Sequence, residues 1–296
     1  TKKIIEKSVV LNKAGRINAT STAKEADEYS TLINEIGGLK LINTGTIDPY
    51  VNTWGYDYLI DKGKKYLNPY LPINNDIISK NRQKLYASPK IIIAKIGLKC
   101  EAYYDENGIY ASVNTNCIHS FDSSYKPEYV LCWLNSKLYN YTFECLFDGL
   151  RMSGGYLLFS APNLKNTYIF AAREKEQIKF IELAQRLIKN KIDLEEHSIK
   201  IKRSLFRKFE LTELSKKLQN WHLLMYADFI KELAKKKIKL SLADEAEWEP
   251  YFNNEKNKAI ELKTQIDITN KEIDQMFYKL YELTEEEIRI VEESVN

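Results

Sequence analysis

The distribution of glycine, proline and tyrosine divides this 296-residue chain near residue 172. All 11 glycines and six of the seven prolines lie at or before Pro162, and 16 of the 20 tyrosines lie at or before Tyr168. Glycine and proline mark turns and tyrosine favours strands, whereas the glycine-free remainder is dense in Lys, Glu and Leu. The sequence therefore predicts an α+β domain of mixed strands and helices over residues 1–172. The region over 173–296 is predicted to be mainly helical, as helical hairpins or a coiled coil.

Charge divides the helical region a second time. Residues 173–240 carry a net charge of +8 and residues 241–296 a net charge of −9, so the total of +3 conceals a basic stretch followed by an acidic one. A polyanionic partner is one explanation of this asymmetry. Oppositely charged helix faces that pair with each other are the other explanation.

Composition limits the class of protein. With 44% hydrophobic and 29% charged residues, the chain is long enough for one large or two ordinary folded domains. No apolar run approaches the roughly 20 residues of a membrane helix, and the N-terminus lacks the apolar stretch of a signal peptide, so we expect a cytoplasmic protein without a membrane partner. The four cysteines and three histidines are scattered. This spacing favours buried thiols over disulfides or a metal site.

Catalytic motifs are missing from the sequence. There is no G-x-G-x-x-G, no P-loop and no H-E-x-x-H. Asn68, Pro69 and Tyr70 come within one proline of the Asn-Pro-Pro-Tyr tetrad of adenine methyltransferases, but asparagine with proline also favours an ordinary turn. No glycine-rich cofactor loop accompanies them. We therefore expect no catalytic residue and no bound cofactor in this chain.

Short apolar runs predict the elements of the first half. Strands are expected at 91–96, 102–104, 109–112 and 117–121. The second and third of these are expected to pair as a hairpin through the loop 105–108. Pro127 then opens a helix whose apolar positions continue to Cys145.

Helical spacing predicts the elements of the second half. One helix is expected to begin near Glu174, another to lie around 221–237, and a long acidic one to run over 242–280. Thr284 followed by Glu287 is a capping-box signature for a short final helix.

The segment "FDGLRMSGGYLLFSAPNLKNTYI", residues 147–169, connects a predicted helix to a predicted strand. Gly154 and Gly155 permit a positive φ or a close approach to another molecule, because neither carries a Cβ atom. Arg151 is suited either to bind a partner or to cap the preceding helix, where a cation is favourable. Ser153 is suited to contact a partner as well, and Tyr156 could belong to the core.

Several stretches together resemble a known family. They are "SPKIIIAKIG", "ASVNTNCIHSF", "PEYVLCWLNSKLYNYTFECLFDGLRMSGGYLLFSAPNLKNTYI" and the terminal "QMFYKLYELTEEEIRIVEE". In this order they resemble the C-terminal specificity region of fused type IIG restriction and adenine-specific methyltransferase enzymes, which is similar to the TaqI-like target-recognition domain. The resemblance implies that the chain recognises a sequence in double-stranded DNA and is not itself catalytic.

The resemblance also implies which partners and cofactors belong elsewhere. Methyl transfer and cleavage would be performed by methyltransferase and nuclease domains of a parent enzyme, which would hold S-adenosylmethionine and Mg²⁺. The chain would be a fragment of that enzyme or a free-standing specificity subunit of a restriction-modification system. An enzyme with an unrecognised site, and a helical assembly or RNA-binding protein, are the alternatives.

Within that resemblance, polar residues on loops are the candidate DNA contacts. Arg151 could form a bidentate pair with guanine, and the two glycines would let the backbone approach DNA. The candidates are Arg151, Ser153, Gly154, Gly155, Asn114, Thr115, Asn116, Thr44, Arg82, Lys84 and Lys95. Arg16, Asn18, Asn43, Thr46, Lys80 and Lys99 are further candidates of the same kind. Ordinary turns and isolated surface lysines are the alternative explanation for all but Arg151.

Overall fold

The computed structural model describes residues 2–72, 74–211 and 213–294. The strands are β1 (Ser8–Val10), β2 (Arg16–Ala19), β3 (Leu39–Asn43), β4 (Ile47–Asp48), β5 (Val51–Asn52), β6 (Leu59–Asp61), β7 (Lys64–Tyr66), β8 (Tyr70–Leu71), β9 (Lys90–Ala94), β10 (Ile96–Gly97), β11 (Ala102–Asp105), β12 (Tyr110–Val113), β13 (Thr115–His119), β14 (Leu157–Leu158) and β15 (Tyr168–Phe170). The helices are α1 (Lys2–Glu6), α2 (Ala23–Tyr29), α3 (Lys80–Tyr86), α4 (Pro127–Asn135), α5 (Lys137–Phe147), α6 (Ala161–Lys165), α7 (Glu174–Phe209), α8 (Lys216–Gln219), α9 (Tyr226–Lys235), α10 (Leu242–Leu280) and α11 (Glu285–Ser294).

The fold is α+β, as the composition predicts. Every strand in the described part of the chain ends by Phe170, and the regular elements after it are helical. The helix predicted to begin near Glu174 is α7, and the long acidic helix predicted over 242–280 is α10, so both predictions are confirmed. Thr284 and Glu287 form both hydrogen bonds of the predicted capping box before α11. None of the described helices combines the length and the apolar character that crossing a membrane requires.

The described residues form two compact units. Unit 1 contains those up to Arg186 and those from Asn270 onward, and unit 2 contains those from Leu187 to Thr269. The long helices α7 and α10 each contribute residues to both units. Unit 1 is therefore built from two separate stretches of the sequence.

Unit 1 contains all the described strands. A four-stranded antiparallel sheet has the order β11-β9-β13-β2, and a three-stranded sheet has the order β12-β3-β8, with β12 parallel to β3. Two-stranded pairs join β1 to β15, β10 to β14, β4 to β5, and β6 to β7. The central strand β9 is buried along its whole length, which explains its unbroken apolar run.

The predicted hairpin between residues 102–104 and 109–112 is wrong. Strand β11 pairs with β9, whereas β12 pairs with β3 in the other sheet. The reason lies at Asp105, whose carboxylate accepts hydrogen bonds from the backbone N–H groups of Ile109 and Tyr110. The same carboxylate forms a buried ion pair with Lys90. These bonds hold the loop while the chain passes from one sheet to the other.

The single helix predicted from Pro127 is interrupted at Ser136. Ser136 has extended backbone angles, and its hydroxyl caps α5 by accepting a hydrogen bond from the N–H of Tyr139. The interruption places two amide side chains at the start of β11, because Asn135 accepts a hydrogen bond from the N–H of Ala102 and Asn140 accepts one from the N–H of Cys100, just before the strand. Helices α4 and α5 are thereby attached to the four-stranded sheet.

The cysteines are free thiols. Cys100, Cys117 and Cys132 are buried, in agreement with the prediction, whereas Cys145 is exposed. Burial raises the pKa of the Cys117 thiol to about 12.

The last turns of α10 complete the core of unit 1. The Phe277 ring lies 4.5 Å from Phe180 and 5.0 Å from Trp133, measured between ring centroids. One turn earlier, the carboxylate of Asp274 accepts a hydrogen bond of 2.9 Å from the backbone N–H of Lys137 at the start of α5. Burial raises the pKa of Asp274 to about 7, against the effect of that N–H group, and nearby Glu292 adds to the rise.

Replacing Asp274 by asparagine is expected to remove a pH dependence of stability. Because the folded-state pKa lies above the unfolded value, Asp274 favours folding below about pH 4, and this contribution is lost as pH rises through about 7. Asp274→Asn keeps an acceptor for the N–H of Lys137 but cannot ionise. The free energy of unfolding of the variant should therefore exceed that of the wild type by about 2–4 kcal/mol at pH 8, and the difference should disappear near pH 4. Urea unfolding of both proteins at several pH values measures the difference. A difference that does not vary with pH would contradict the assignment.

Unit 2 has its own hydrophobic core. It is formed by Ile201, Leu205, Leu214, Leu218, Trp221, Phe229, Leu233, Trp248, Phe252 and Ala259. The helix expected around 221–237 is a 3-10 turn, Trp221–Leu223, followed by α9.

Basic α7 pairs with acidic α10 inside this unit, where Lys208 lies 3.4 Å from Asp244. In unit 1, Arg186 lies 2.7 Å from Glu272. Paired helix faces thus account for part of the charge asymmetry.

Candidate nucleic-acid interface

Three of the candidate residues meet where β9 ends and β13 begins. The hydroxyl of Thr44 donates a 2.6 Å hydrogen bond to the carbonyl of Asn114 and accepts one of 3.0 Å from the N–H of Lys95. Thr44 is 51 residues from Lys95 and 70 residues from Asn114 in the sequence, so the fold brings it to them. We call Thr44, Lys95, Asn114 and the segment 151–156 the loop cluster.

The segment 151–156 is attached to this cluster by backbone contacts. Strand β14, which follows the segment, pairs with β10, and the N–H of Phe159 donates to the carbonyl of Lys95 at 2.9 Å. Gly154 and Gly155 have φ values of +82° and +80°, which confirms the positive φ expected from the sequence. A side chain would strain the backbone at these two positions, and at Gly154 a Cβ atom would also lie only 3.2 Å from the ring of Tyr156.

Arg151 is held by acidic neighbours. Its guanidinium pairs with Glu144 on α5 and with Asp148, whose Oδ1 lies 2.6 Å from Nε, and Nη1 donates to the carbonyl of Gly155 at 3.3 Å. The side chain remains 37% exposed. The structure thus agrees with a local structural role for Arg151 and leaves part of its guanidinium accessible to a partner.

The surface around Ser153 is polar backbone bordered by apolar side chains. Ser153 and Gly154 are exposed. Leu98, Met152 and Tyr156 are 66%, 45% and 44% exposed, so of the two alternatives for Tyr156 the core is excluded. Such a combination can contact both polar base edges and the thymine methyl group. The sequence did not predict that Leu98 and Met152 are exposed, because the residues around an apolar side chain beside a glycine turn do not distinguish an exposed position from a buried one.

Asn114 presents an amide to solvent. It has a φ of +55°, a conformation that asparagine tolerates better than most residues, and its own N–H donates to the hydroxyl of Ser21 at 3.1 Å. The side chain is exposed, and it makes no hydrogen bond with any residue that the structure describes. An exposed amide of this kind can pair with an adenine edge.

Thr115 and Asn116 lie inside the protein, contrary to their selection as DNA contacts. Each is 1% exposed. The hydroxyl of Thr115 lies 2.7 Å from that of Thr20, and the amide of Asn116 donates to the carbonyl of Phe159 at 2.6 Å. Both side chains fasten β13 to its neighbours, so we remove them from the candidate surface.

Arg82 and Lys84 lie outside the loop cluster, on α3. They line a groove together with Arg16, Asn18 and His119. Each guanidinium nitrogen of Arg82 donates a hydrogen bond, to the carboxylate oxygens of Glu25 and to the carbonyl of Ala19, and the side chain is 18% exposed, half the value for Arg151. The hydrogen bonds from Arg82 are the main cause that lowers the pKa of Glu25 to about 2. Arg82 is therefore a structural link between α3 and β2.

A two-stranded β-ribbon beside the loop cluster was not predicted from the sequence. Strands β6 and β7 form a hairpin with Lys65 opposite Ile60, and the Asn43 amide, which neighbours Thr44, donates to the carbonyl of Ile60 at 3.5 Å. The side chain of Ile60 is 58% exposed. The hairpin turn, Lys62 followed by Gly63 with positive φ, was the signal that could have revealed it. A two-stranded ribbon has dimensions that fit the major groove of DNA.

Two known protein families match separate parts of the chain. Residues 44–153 match the TaqI-like C-terminal specificity domain, and residues 173–277 match a domain of unknown function (DUF8810). No curated protein matches the chain. The first match begins at Thr44 and ends at Ser153, so both of its ends lie in the loop cluster.

Proposed function

We propose that this chain, which carries a TaqI-like C-terminal specificity domain at residues 44–153, recognises a specific sequence in double-stranded DNA as a noncatalytic part of a restriction-modification system. The observation that carries the proposal is the loop cluster. Residues from separate loops, all within the matched range or at its edge, converge there, and Asn114 and Ser153 among them are exposed. Loops presented by a rigid sheet are a common place for binding residues.

In this proposal the loop cluster contacts base edges in the major groove. Asn114 would pair with adenine and Arg151 with guanine, while Ser153 and the backbone at Gly154 and Gly155 would approach bases or phosphates. Thr44 would act by holding Asn114 and Lys95 in place, because both oxygen contacts of its hydroxyl are internal. Lys95, whose side chain is half-buried, would bind a phosphate.

The parent enzyme in this proposal is of type IIG or a similar type. Its other domains would perform adenine-N6 methyl transfer and DNA cleavage and would bind S-adenosylmethionine and Mg²⁺. We assign recognition to residues 1–172 and a spacer or clamp role to the helical residues 173–296. Residues from 270 onward also complete the core of unit 1.

Selection from a randomised duplex library tests the proposal. The whole chain should enrich a defined motif, and changing one base pair of that motif should weaken binding by about 1–3 kcal/mol. Single-stranded DNA and an RNA duplex should compete poorly. Equal affinity for all duplexes, or preference for RNA, would exclude sequence-specific DNA recognition.

A matched pair of asparagine variants locates the contact. Asn114→Ala should relax preference at one position of the enriched motif. Asn107→Ala, beyond the opposite end of β12, removes another exposed amide and should leave the motif unchanged. If both variants enrich the wild-type motif, the loop cluster is not the recognition surface.

A further inference from the structure

A second polar surface in unit 1 lies between β2 and α3. It is a groove of about 780 Å³ whose lining includes Arg16, Asn18, Asn81, Arg82, Lys84 and His119. No carboxylate is part of this lining. We call it the basic groove.

The walls of the basic groove are held in place. Arg82 ties α3 to β2 through the carbonyl of Ala19, at 2.6 Å, and to Glu25 on α2. On the other side, the ring of His119 lies 2.9 Å from the amide oxygen of Asn18. The groove is therefore preorganised, which lowers the entropic cost of binding a ligand.

The basic groove has an excess of unpaired positive charge. Glu25 balances Arg82, but none of the described acidic residues forms an ion pair with Arg16 or Lys84. Arg16 is directly opposite His119 in the β2–β13 pair. The pKa of His119 is lowered by burial and then by the positive charges of Arg16 and Lys90, so the field in the groove favours an anion.

The basic groove and the loop cluster lie at opposite ends of the same strand. His119 ends β13, and Asn114 immediately precedes it. Five residues of a strand span about 17 Å. Phosphates along one DNA strand are separated by about 3.4 Å of helix axis, so this distance corresponds to roughly five nucleotides.

We propose that the basic groove binds the phosphodiester backbone of the DNA whose bases contact the loop cluster, with Arg16 and Lys84 as the charged contacts. This inference rests on the proposed function. Asn18 and Asn81 supply neutral polar groups beside the two cations. The groove adds affinity without sequence preference, because phosphates are the same at every position.

The test removes both free cations by the double change Arg16→Gln and Lys84→Gln. The Kd should rise by a similar factor on the preferred and on a scrambled duplex, roughly 30-fold at 0.15 M salt, and the slope of log K against log salt should flatten by about 1.8. The ratio of specific to scrambled affinity should not change. The charge-matched control, Lys175→Gln with Lys279→Gln, removes two exposed cations outside the groove and should retain the wild-type slope.

The outcomes separate this inference from the proposed function. If the wild-type protein binds all duplexes equally, the proposed function is wrong. If the wild type prefers one sequence but the double variant has the same salt slope as the wild type, only the groove assignment is wrong. Changed base preference in the double variant would also overturn it. Inorganic phosphate and a mononucleotide, tested by thermal stabilisation, provide the second arm. Stabilisation that the double variant loses while its DNA slope stays normal would identify a free-anion site instead. Circular dichroism and melting temperature verify that both variants are folded.

Discussion

Replacing Lys90 by methionine is expected to lower the free energy of unfolding by about 3–5 kcal/mol. Lys90 and Asp105 are 0% and 1% exposed, and they form an ion pair inside unit 1. The ammonium group also donates to the carbonyls of Tyr86 and Ser88. Removing it leaves the Asp105 carboxylate charged and buried without its partner, which is the costly part of the change.

Two further variants show whether the uncompensated charge is responsible. Lys90→Met combined with Asp105→Asn removes both charges but keeps an acceptor for the N–H groups of Ile109 and Tyr110, so it should recover much of the loss. Lys62→Met breaks an exposed ion pair with Asp27 and should cost less than about 1 kcal/mol. Guanidinium unfolding measures all three. A loss below 1 kcal/mol for Lys90→Met would show that the buried pair does not stabilise the fold.

Replacing Arg151 by alanine is expected to weaken binding to the preferred duplex by about 1–3 kcal/mol, or roughly 5- to 150-fold in Kd. Preference should relax at one base position, and binding to unrelated DNA should change little. The reason is that a guanidinium matches two acceptors of guanine, whereas its acidic neighbours Glu144 and Asp148 make the surroundings unfavourable for a phosphate.

The same measurements distinguish the other roles of Arg151. A phosphate contact would weaken specific and scrambled duplexes equally and flatten the salt slope by about one unit. A purely structural role would lower the melting temperature and leave the base preference intact. Arg173→Ala is the matched control, since Arg173 also pairs with an acidic residue three positions away and is exposed. Unchanged affinity and preference in a folded Arg151→Ala protein would remove Arg151 from the recognition surface.

Periodicity and capping predict the local elements well. The span of α10 and the capping box of α11 follow from side-chain spacing and from two residue types, and both are local properties of the chain. The positive φ of Gly154 was likewise predictable, because no other residue adopts it so easily.

Pairing over long distances is the part that the sequence does not predict. The loop 105–108 has the composition of a hairpin turn, but the buried carboxylate of Asp105, paired with Lys90, holds it while the chain passes to another sheet. Thr115 and Asn116 are short polar residues like exposed Asn114, yet they are buried because β13 is covered at those positions. Arg82 was selected for its charge, but its partner Glu25 is 57 residues away in sequence.

The discontinuity of unit 1 affects the order in which the protein can fold during its synthesis. The ring of Trp133 packs against Phe277 and Tyr281, which the ribosome adds more than a hundred residues after the last strand. At a synthesis rate of about 5–20 residues per second, part of the aromatic core beside the sheet remains uncovered for roughly 5–20 s. A nascent chain in that interval exposes apolar surface that a chaperone could bind, and a ribosome that stalls within α10 would leave the loop cluster on an incomplete support.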